Sequence, residues 1–271
     1  MLLIFTQICI TCSALTFTSE YLSNSGVLLL LLNIIYSLLE CLHTIYRRNY
    51  TKLLWKEGSM YFISYSFPCI SQILGCDSVF QSILLATRPI FAALLNVNKI
   101  SSRRKKVAVS ISVIGNLIAL ERGFHFEEIN MVSSLLSFIG IISSILLGKE
   151  QYERHKNSSQ EGDNDNTIHL TSLIYIPIVY IFLIDFNIVI TSNTVFMMIV
   201  SLVVQSFCTS YARQVAIKHG PVFLTLTLSA RRNLVVIIMI IYYNSITVSK
   251  VIACASNLIA LFRKPFVRIA R

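Results

Sequence analysis

Apolar runs follow one another along almost the whole chain, and short polar or basic stretches separate them. A helix of about 20 residues spans the hydrocarbon core of a bilayer, and most of these runs approach that length. The pattern therefore predicts ten transmembrane segments, numbered one to ten in chain order, at 2–17, 26–45, 59–74, 78–95, 107–120, 131–147, 168–190, 194–212, 221–244 and 246–262.

The N-terminal run, 2–17, has a second interpretation as a signal peptide, because it is short and small residues follow it. A signal peptide needs a basic region before its apolar core, and this run has none. We therefore count it as the first transmembrane segment.

Ten segments divide into two halves of five. A half with an odd number of segments must insert upside down relative to its copy, which produces inverted-topology repeats. We predict an all-α membrane protein with a first five-helix repeat at 1–120, a short lumenal link at 121–130 and a second five-helix repeat at 131–271. Within the second repeat, 148–167 is too polar to bury and is expected to be a cytosolic linker. A basic tail closes the chain.

The composition supports a membrane protein. Hydrophobic residues make up 55% of the chain and charged residues only 13%, with a mean hydropathy of +0.69. Soluble domains have about 25% charged residues. The net charge of +10 is also found in nucleic-acid binders, but those carry a basic face on a folded domain. Here the basic residues lie in short loops, so we expect no nucleic-acid partner and a lipid bilayer instead.

The basic loops also predict the orientation. Most of the 23 lysines and arginines fall in the loops after even-numbered segments or in the C-terminal tail. Cytosolic loops are enriched in these residues, so both termini and all even loops are expected in the cytosol. The glycosylation sequons at Asn49 and Asn157 then lie on the side away from the glycosylation machinery, and we predict that neither carries sugar.

No catalytic or metal-binding motif is visible. The seven cysteines and five histidines are dispersed, and no HExxH, GxSxG, P-loop or GxGxxG pattern occurs. Cys9 and Cys12 have the spacing of a metal or redox pair, but they lie in an apolar run with no second pair and no nearby histidine. We expect no enzymatic activity, no metal and no cofactor.

Three arginines lie inside the apolar runs. Arg88 is in the fourth segment, and Arg231 and Arg232 are at the middle of the ninth. An arginine at the centre of a membrane helix costs roughly 2.5–3.5 kcal/mol, so it is expected to face a protein interior or a water-filled cavity. These arginines could instead pair with buried acids. However, Glu40 and Asp185 both lie near predicted helix ends, which favours an anionic ligand.

The same arrangement occurs once in each half. Aligning 85–90 with 228–233 places Arg88 opposite Arg231. Ionisable residues at corresponding intramembrane positions are typical of transporters that bind substrate at the interface of two repeats. The planar guanidinium matches phosphate oxygens in pairs and keeps its charge when buried. We therefore predict a phosphorylated ligand, held by Arg88, Arg231 and Arg232 with Ser229 beside them.

Four further polar residues inside the segments are candidates for contacts to a base or a sugar: Asn33, Tyr36, Gln81 and Gln205. Each has an alternative interpretation as a polar residue that packs between helices.

Two short motifs carry a family resemblance. The ninth segment reads Ser-Ala-Arg-Arg-Asn at 229–233 and is followed by Asn-Ser at 244–245, and the fourth reads Leu-Ala-Thr-Arg-Pro at 85–89. These stretches resemble the Thr-Thr-Arg-Lys-Phe, Asn-Pro and Lys-Ser-Cys-Lys-Pro elements of nucleotide-sugar transporters in the drug/metabolite transporter superfamily. The similar branch carries UDP-galactose, UDP-glucose and adenosine 3'-phospho 5'-phosphosulfate (PAPS), and its ten-helix count agrees with the segments here.

Four of the departures from this family concern its basic and aromatic positions. Leu85 stands where the family has lysine, Arg88 and Arg232 each replace a lysine by arginine, and Asn233 replaces an aromatic residue. Basic charge is kept at three of the four basic positions, which suits an anionic nucleotide.

The resemblance implies alternating-access exchange of a cytosolic nucleotide sugar, with UDP-hexose favoured, for a lumenal nucleoside monophosphate. It also implies the membrane of the Golgi or endoplasmic reticulum.

Other functions stay open at this point. Within transport, PAPS or another phosphorylated anion, such as a sugar phosphate, is the alternative substrate. Outside transport, the alternative is a membrane scaffold or trafficking partner that carries no substrate. Whether the chain forms a homodimer is also left open by the sequence.

Overall fold

The computed structural model describes residues 26–46, 54–75, 88–95, 103–118, 130–157, 167–180, 191–219 and 222–228, together with positions 252, 255, 256 and 259. These residues form α-helices joined to short caps and turns, and they contain no strand. The predicted all-α class is therefore confirmed for the described part of the chain.

We number the described helices in chain order. They are α1 Gly26–Tyr46, α2 Trp55–Ile73, α3 88–95, α4 Arg103–Ile118, α5 Met131–Asn157, α6 Thr167–Leu173, α7 Ile176–Tyr180, α8 Ser192–His219 and α9 222–228.

Three of these helices are long and apolar enough to cross a membrane: Gly26–Tyr46, Met131–Arg154 and Ser192–Ala216. The first and third expose large apolar side chains, among them Leu42 and Phe196. A soluble protein rarely exposes large contiguous apolar patches, whereas a helix that faces lipid does. The described helices are thus compatible with the predicted membrane protein.

Local sequence accounts for several helix ends. The Asn130 side chain caps α5, since its Oδ1 accepts hydrogen bonds from the Val132 and Ser133 amides at 3.1 and 3.3 Å. Thr191 caps α8 in the same way, with its Oγ1 3.2 Å from the Thr194 nitrogen. At the other end of a helix, Gly75 follows α2 with φ of +81°, a left-handed conformation that glycine adopts without steric cost.

Two predicted segments differ from the helices observed. The sixth segment, predicted to end at 147, continues as α5 to Asn157, because the polar residues beyond 147 are mostly good helix formers. The predicted linker at 148–167 therefore begins as helix. The seventh segment is interrupted by a turn at 174–175, where Pro177 lacks the N–H that would continue the hydrogen-bond ladder to Leu173.

Helices α2 and α5 make the most extensive contact among the described elements, and they run antiparallel. Pro68 of α2 packs directly on Gly140 of α5, where an added Cβ would lie 2.7 Å from the proline Cδ. Towards the C-terminal end of α2, the Ser137 hydroxyl donates to the Ser71 hydroxyl at 2.7 Å. Small residues on α5 thus let the two backbones approach closely.

The helix α5 lies between two apolar clusters. On one side, Ile141 and Ile145 pack with buried residues of α3, α4, α8 and α9, including Ala92 and Cys208. On the other side, Leu136 packs against the cluster of α1, α2 and α7 around Leu30. Helix α2 corresponds to predicted segment three and α5 to segment six, and these segments fall in different predicted halves. The α2–α5 contact therefore joins those halves.

Candidate functional site

A cavity of about 330 Å³ opens where α2, α3, α5, α6, α8 and α9 meet. This volume lies at the lower end of the range for small-molecule sites. Its described wall contains no Asp or Glu, and its polar and ionisable residues are Tyr61, Ser64, Tyr65, Arg88, Ser144, Gln151, His169, Gln205, Cys208 and Thr209.

Arg88 supplies the fixed positive charge of this wall. Its Nη2 donates a hydrogen bond to the Ser144 hydroxyl at 2.7 Å, and that hydroxyl donates to the Ile141 carbonyl, also at 2.7 Å. The following residue, Pro89, is fully buried and holds this end of α3 against the bundle. The guanidinium of Arg88 therefore lines the cavity and contacts a neutral hydroxyl of α5 there.

Gln205 also lines the cavity, and Asn33 lies behind it. The Gln205 Nε2 donates to the Asn33 Oδ1 at 3.0 Å, and the Asn33 amide contacts the Cys69 sulfur at 3.6 Å. Asn33 itself lines a smaller cavity of about 30 Å³. This arrangement joins α8, α1 and α2. Gln205 can therefore contact a ligand in the cavity, and Asn33 orients the Gln205 amide.

Tyrosine and histidine rings form another part of the wall. The His169 ring lies edge to face with Tyr61 at 4.6 Å and with Tyr36 at 5.5 Å between centroids, and Tyr65 lies 4.5 Å from Tyr61. Tyr61, Tyr65 and His169 reach the cavity. Tyr36, a predicted contact residue, is buried behind His169 and supports that ring.

The cationic and aromatic residues that line the cavity lie at different positions along it. Ser144 and Gln151 lie on one face of α5, and seven residues of helix rise by about 10 Å. Helices α2 and α5 are antiparallel: Ser71 contacts Ser137 at one end, and Glu57 contacts Arg154 at the other. Tyr61 is close to Glu57 in α2, so it lies near the end of the cavity that Gln151 lines. The cavity lining thus extends along α5 from Gly140 to Gln151, and Arg88 contacts this helix between them, at Ser144.

Two ion pairs join α2 and α5 beyond the end of the cavity that Gln151 lines. The Arg154 Nη2 lies 3.0 Å from the Glu57 Oε2, whose side chain is 9% exposed. The Lys56 Nζ lies 2.5 Å from the Glu150 Oε1 at the surface. Hydrogen bonding to Glu150 raises the pKa of Lys56, so this lysine keeps its charge at neutral pH.

The other predicted site residues, Gln81, Ser229, Arg231 and Arg232, lie outside the described residues. Leu224 and Leu228 of α9 line the cavity.

The sequence analysis did not single out Tyr61, Tyr65, Gln151 or His169. One signal for two of them was present, since Tyr61, Tyr65 and Pro68 recur at the spacing of one helix face.

Comparison with known proteins identifies the fold alone. No protein-family model and no curated protein sequence matches the chain. A crystal structure described only as that of a protein is similar, with a TM-score of 0.76 at 13% sequence identity. The similarity covers 99% of this chain and 98% of the other. The chain therefore shares its fold over its whole length with a protein of known structure.

Proposed function

We propose that the chain is a membrane transporter of a phosphorylated organic anion, and that its substrate is a nucleotide sugar. The observation that supports this most is the position of Arg88. It lines a cavity between apolar helices, opposite a neutral hydroxyl and in a described wall without carboxylates. A phosphate group there would replace the neutral acceptor of Arg88 by a charged acceptor that can take two parallel hydrogen bonds from the guanidinium.

A second positive contact is proposed from the other half of the chain. Ser229 directly follows Leu228, which lines the cavity, and Arg231 and Arg232 come next. In this proposal they bind the same phosphates as Arg88. Ligands with two negative charges would then neutralise most of the charge that the bundle buries.

The aromatic and amide groups of the cavity wall favour a nucleotide over a smaller phosphorylated solute. Tyr65 and His169 offer ring surfaces, and Gln151 and Gln205 offer amides that can donate and accept hydrogen bonds. Aromatic side chains suit the planar face of a base. A sugar phosphate would use the Arg88 region and would not reach these groups. Among nucleotides, the motif resemblance favours UDP-hexose, with PAPS as the alternative.

The architecture that goes with this function is two inverted five-helix repeats, 1–120 and 131–271. Cavity residues come from both, with α2 and α3 in the first and α5, α6, α8 and α9 in the second. A site at the interface of two repeats suits alternating access. The distribution of basic residues supports cytosolic termini, and the resemblance supports a Golgi or endoplasmic reticulum membrane.

Exchange follows from the same charges. In the proposed cycle, nucleotide sugar enters from the cytosol and nucleoside monophosphate leaves the lumen. Either ligand supplies phosphate charges that compensate the arginines while the cavity closes, and an empty cavity supplies none. The carrier therefore changes sides readily only when it is loaded.

Ligand-dependent stabilisation of the purified protein tests this proposal. A ligand at about 100 times its Kd stabilises the folded state by about 2.7 kcal/mol, which raises the unfolding temperature. We expect stabilisation by one family of nucleotide sugars and its matching monophosphate, and none by neutral hexose. Stabilisation by sugar phosphates alone would make the protein a sugar-phosphate carrier. No response to any phosphorylated compound would contradict the proposal.

A further inference from the structure

Charged side chains join α2 and α5 at one end of their contact. Glu57 pairs with Arg154, and the neighbouring Lys56 pairs with Glu150. We call these four residues the charged gate. All four lie in the first turn of α2 or the last turns of α5, so they connect the two predicted halves of the chain.

The charged gate lies over one end of the cavity. Tyr61 lines the cavity and follows Glu57 by four residues, and Gln151 lines it and precedes Arg154 by three. Residues three or four apart share a helix face, so the Glu57–Arg154 pair is one turn beyond the last wall residues on both helices. These two side chains therefore join α2 and α5 just beyond this end of the cavity.

Contacts at the opposite end of the same helix pair are of a different kind. The Ser71 hydroxyl donates to the Ser133 carbonyl at 2.6 Å and accepts from Ser137 at 2.7 Å, and Ser71 and Ser137 are completely buried. The Asn130 amide donates to the Leu74 carbonyl at 3.1 Å. Separating this end would leave buried polar groups without partners, which is costly.

At the charged gate, Lys56, Glu150 and Arg154 already reach solvent, so water that enters as the helices part can solvate all the charges, including that of the buried Glu57. The two ends of the α2–α5 contact therefore differ in how readily they open. The serine end has the properties of a hinge, and the charged end has those of a gate.

We propose that Lys56, Glu57, Glu150 and Arg154 form a gate that opens and closes one end of the cavity while α2 and α5 stay joined at the serine end. This inference rests on the proposed transport function, and in the proposed orientation the gate faces the cytosol.

The gate is also connected to the anion site. Lys149, next to Glu150, donates to the carbonyl of Leu95 at 3.3 Å, and Leu95 is the last described residue of the helix that carries Arg88. When a phosphate takes Arg88 from Ser144, one contact between α3 and α5 is lost. In the proposed cycle, the loss of this contact would be the way in which ligand binding acts on the helix that carries Glu150 and Arg154.

A reversible cross-link tests the gate. The variant with Glu57→Cys and Arg154→Cys is treated with a bifunctional thiosulfonate, whose bridge a reductant removes. Exchange of nucleotide sugar in proteoliposomes should be lost when the bridge forms and should return on reduction. A disulfide between Ser71→Cys and Ser137→Cys, at the other end of the same helices, should leave exchange unchanged.

A second readout does not depend on transport. Cys208 lines the cavity, so its alkylation by a membrane-impermeant maleimide, followed by mass spectrometry, reports access. The gate cross-link should slow this alkylation. Glu57→Arg or Arg154→Glu alone should speed it, and the two together should restore the slow rate.

The two readouts separate the possible failures. Unchanged exchange and unchanged Cys208 alkylation in the cross-linked protein would overturn the gate. Slow Cys208 alkylation in the cross-linked protein, when no nucleotide sugar is exchanged even by the unmodified protein, would support the gate and count against the proposed function. Loss of exchange with the serine-end disulfide but not with the gate cross-link would place the moving end opposite to our proposal.

Discussion

The Arg88 guanidinium and the Ser144 hydroxyl are joined by a hydrogen bond of 2.7 Å that connects α3 to α5 across the cavity wall. A serine hydroxyl is a weaker partner for a cation than a phosphate is. In the proposed transporter, this bond therefore holds the guanidinium in place until an anion replaces it.

Removing the serine hydroxyl should affect ligand binding much less than removing the charge. Ser144→Ala leaves the guanidinium available to the anion, and we expect the affinity for nucleotide sugar to change by no more than about threefold. A hydrogen bond to a charged group contributes about 1.5–3 kcal/mol, so Arg88→Gln should weaken binding by roughly 10- to 150-fold. Titration calorimetry on the purified protein measures both. Equal losses in the two variants would mean that Ser144 binds the ligand directly.

Tyr65 should distinguish nucleotides from sugar phosphates. Stacking of a base on an aromatic ring contributes about 1–3 kcal/mol. Tyr65→Leu should therefore weaken binding of a nucleotide sugar by about 5- to 150-fold while leaving binding of the sugar phosphate unchanged. The matched control is Tyr175→Leu, because Tyr175 stacks on Phe62 at 4.9 Å and does not line the cavity. A parallel loss for both ligands in Tyr65→Leu would argue against a base contact.

Gly140 should tolerate no side chain. An alanine Cβ would lie 2.7 Å from the Pro68 Cδ, and overpacking of this kind costs about 1–3 kcal/mol. Gly140→Ala should lower the unfolding temperature in detergent. Combining it with Pro68→Ala removes the ring that clashes, so the double variant should lose less stability than the two single effects predict when added. Strict additivity would show that the two residues do not determine the helix spacing.

Asn33 should matter for affinity through Gln205. Asn33→Ala removes the acceptor of the Gln205 amide, which is buried, and a buried donor without a partner costs about 1–3 kcal/mol. We expect lower thermal stability and weaker nucleotide binding. In the Gln205→Leu background, Asn33→Ala should have no further effect on affinity. An additional loss there would give Asn33 a ligand contact of its own.

The sequence was sufficient to select Arg88 as a residue that lines a cavity, because a charge inside an apolar run is costly wherever the helix packs. Gln205 could be found for a similar reason. Tyrosine and histidine carry no such penalty, so Tyr61 and His169 look like ordinary apolar-segment residues until packing brings α2 and α6 together.

Tertiary contacts also account for the extended end of α5. Beyond 147 the apolar pattern stops, and the pairing of Glu150 and Arg154 with α2 adds to the helix propensity of this polar stretch. Hydrophobic periodicity, which predicted the segment, contains no information about such pairs. The same pairs are the ones proposed to open and close the cavity.

The most direct test of the central claim is exchange of labelled UDP-hexose into proteoliposomes loaded with UMP, comparing the unmodified protein with Arg88→Gln. AMP-loaded and PAP-loaded vesicles with PAPS outside provide the alternative pair, and empty vesicles provide the control. We predict saturable uptake that requires one matching internal nucleotide and is lost in Arg88→Gln. Uptake that persists in folded Arg88→Gln protein, or that is as fast in empty vesicles, would contradict the account.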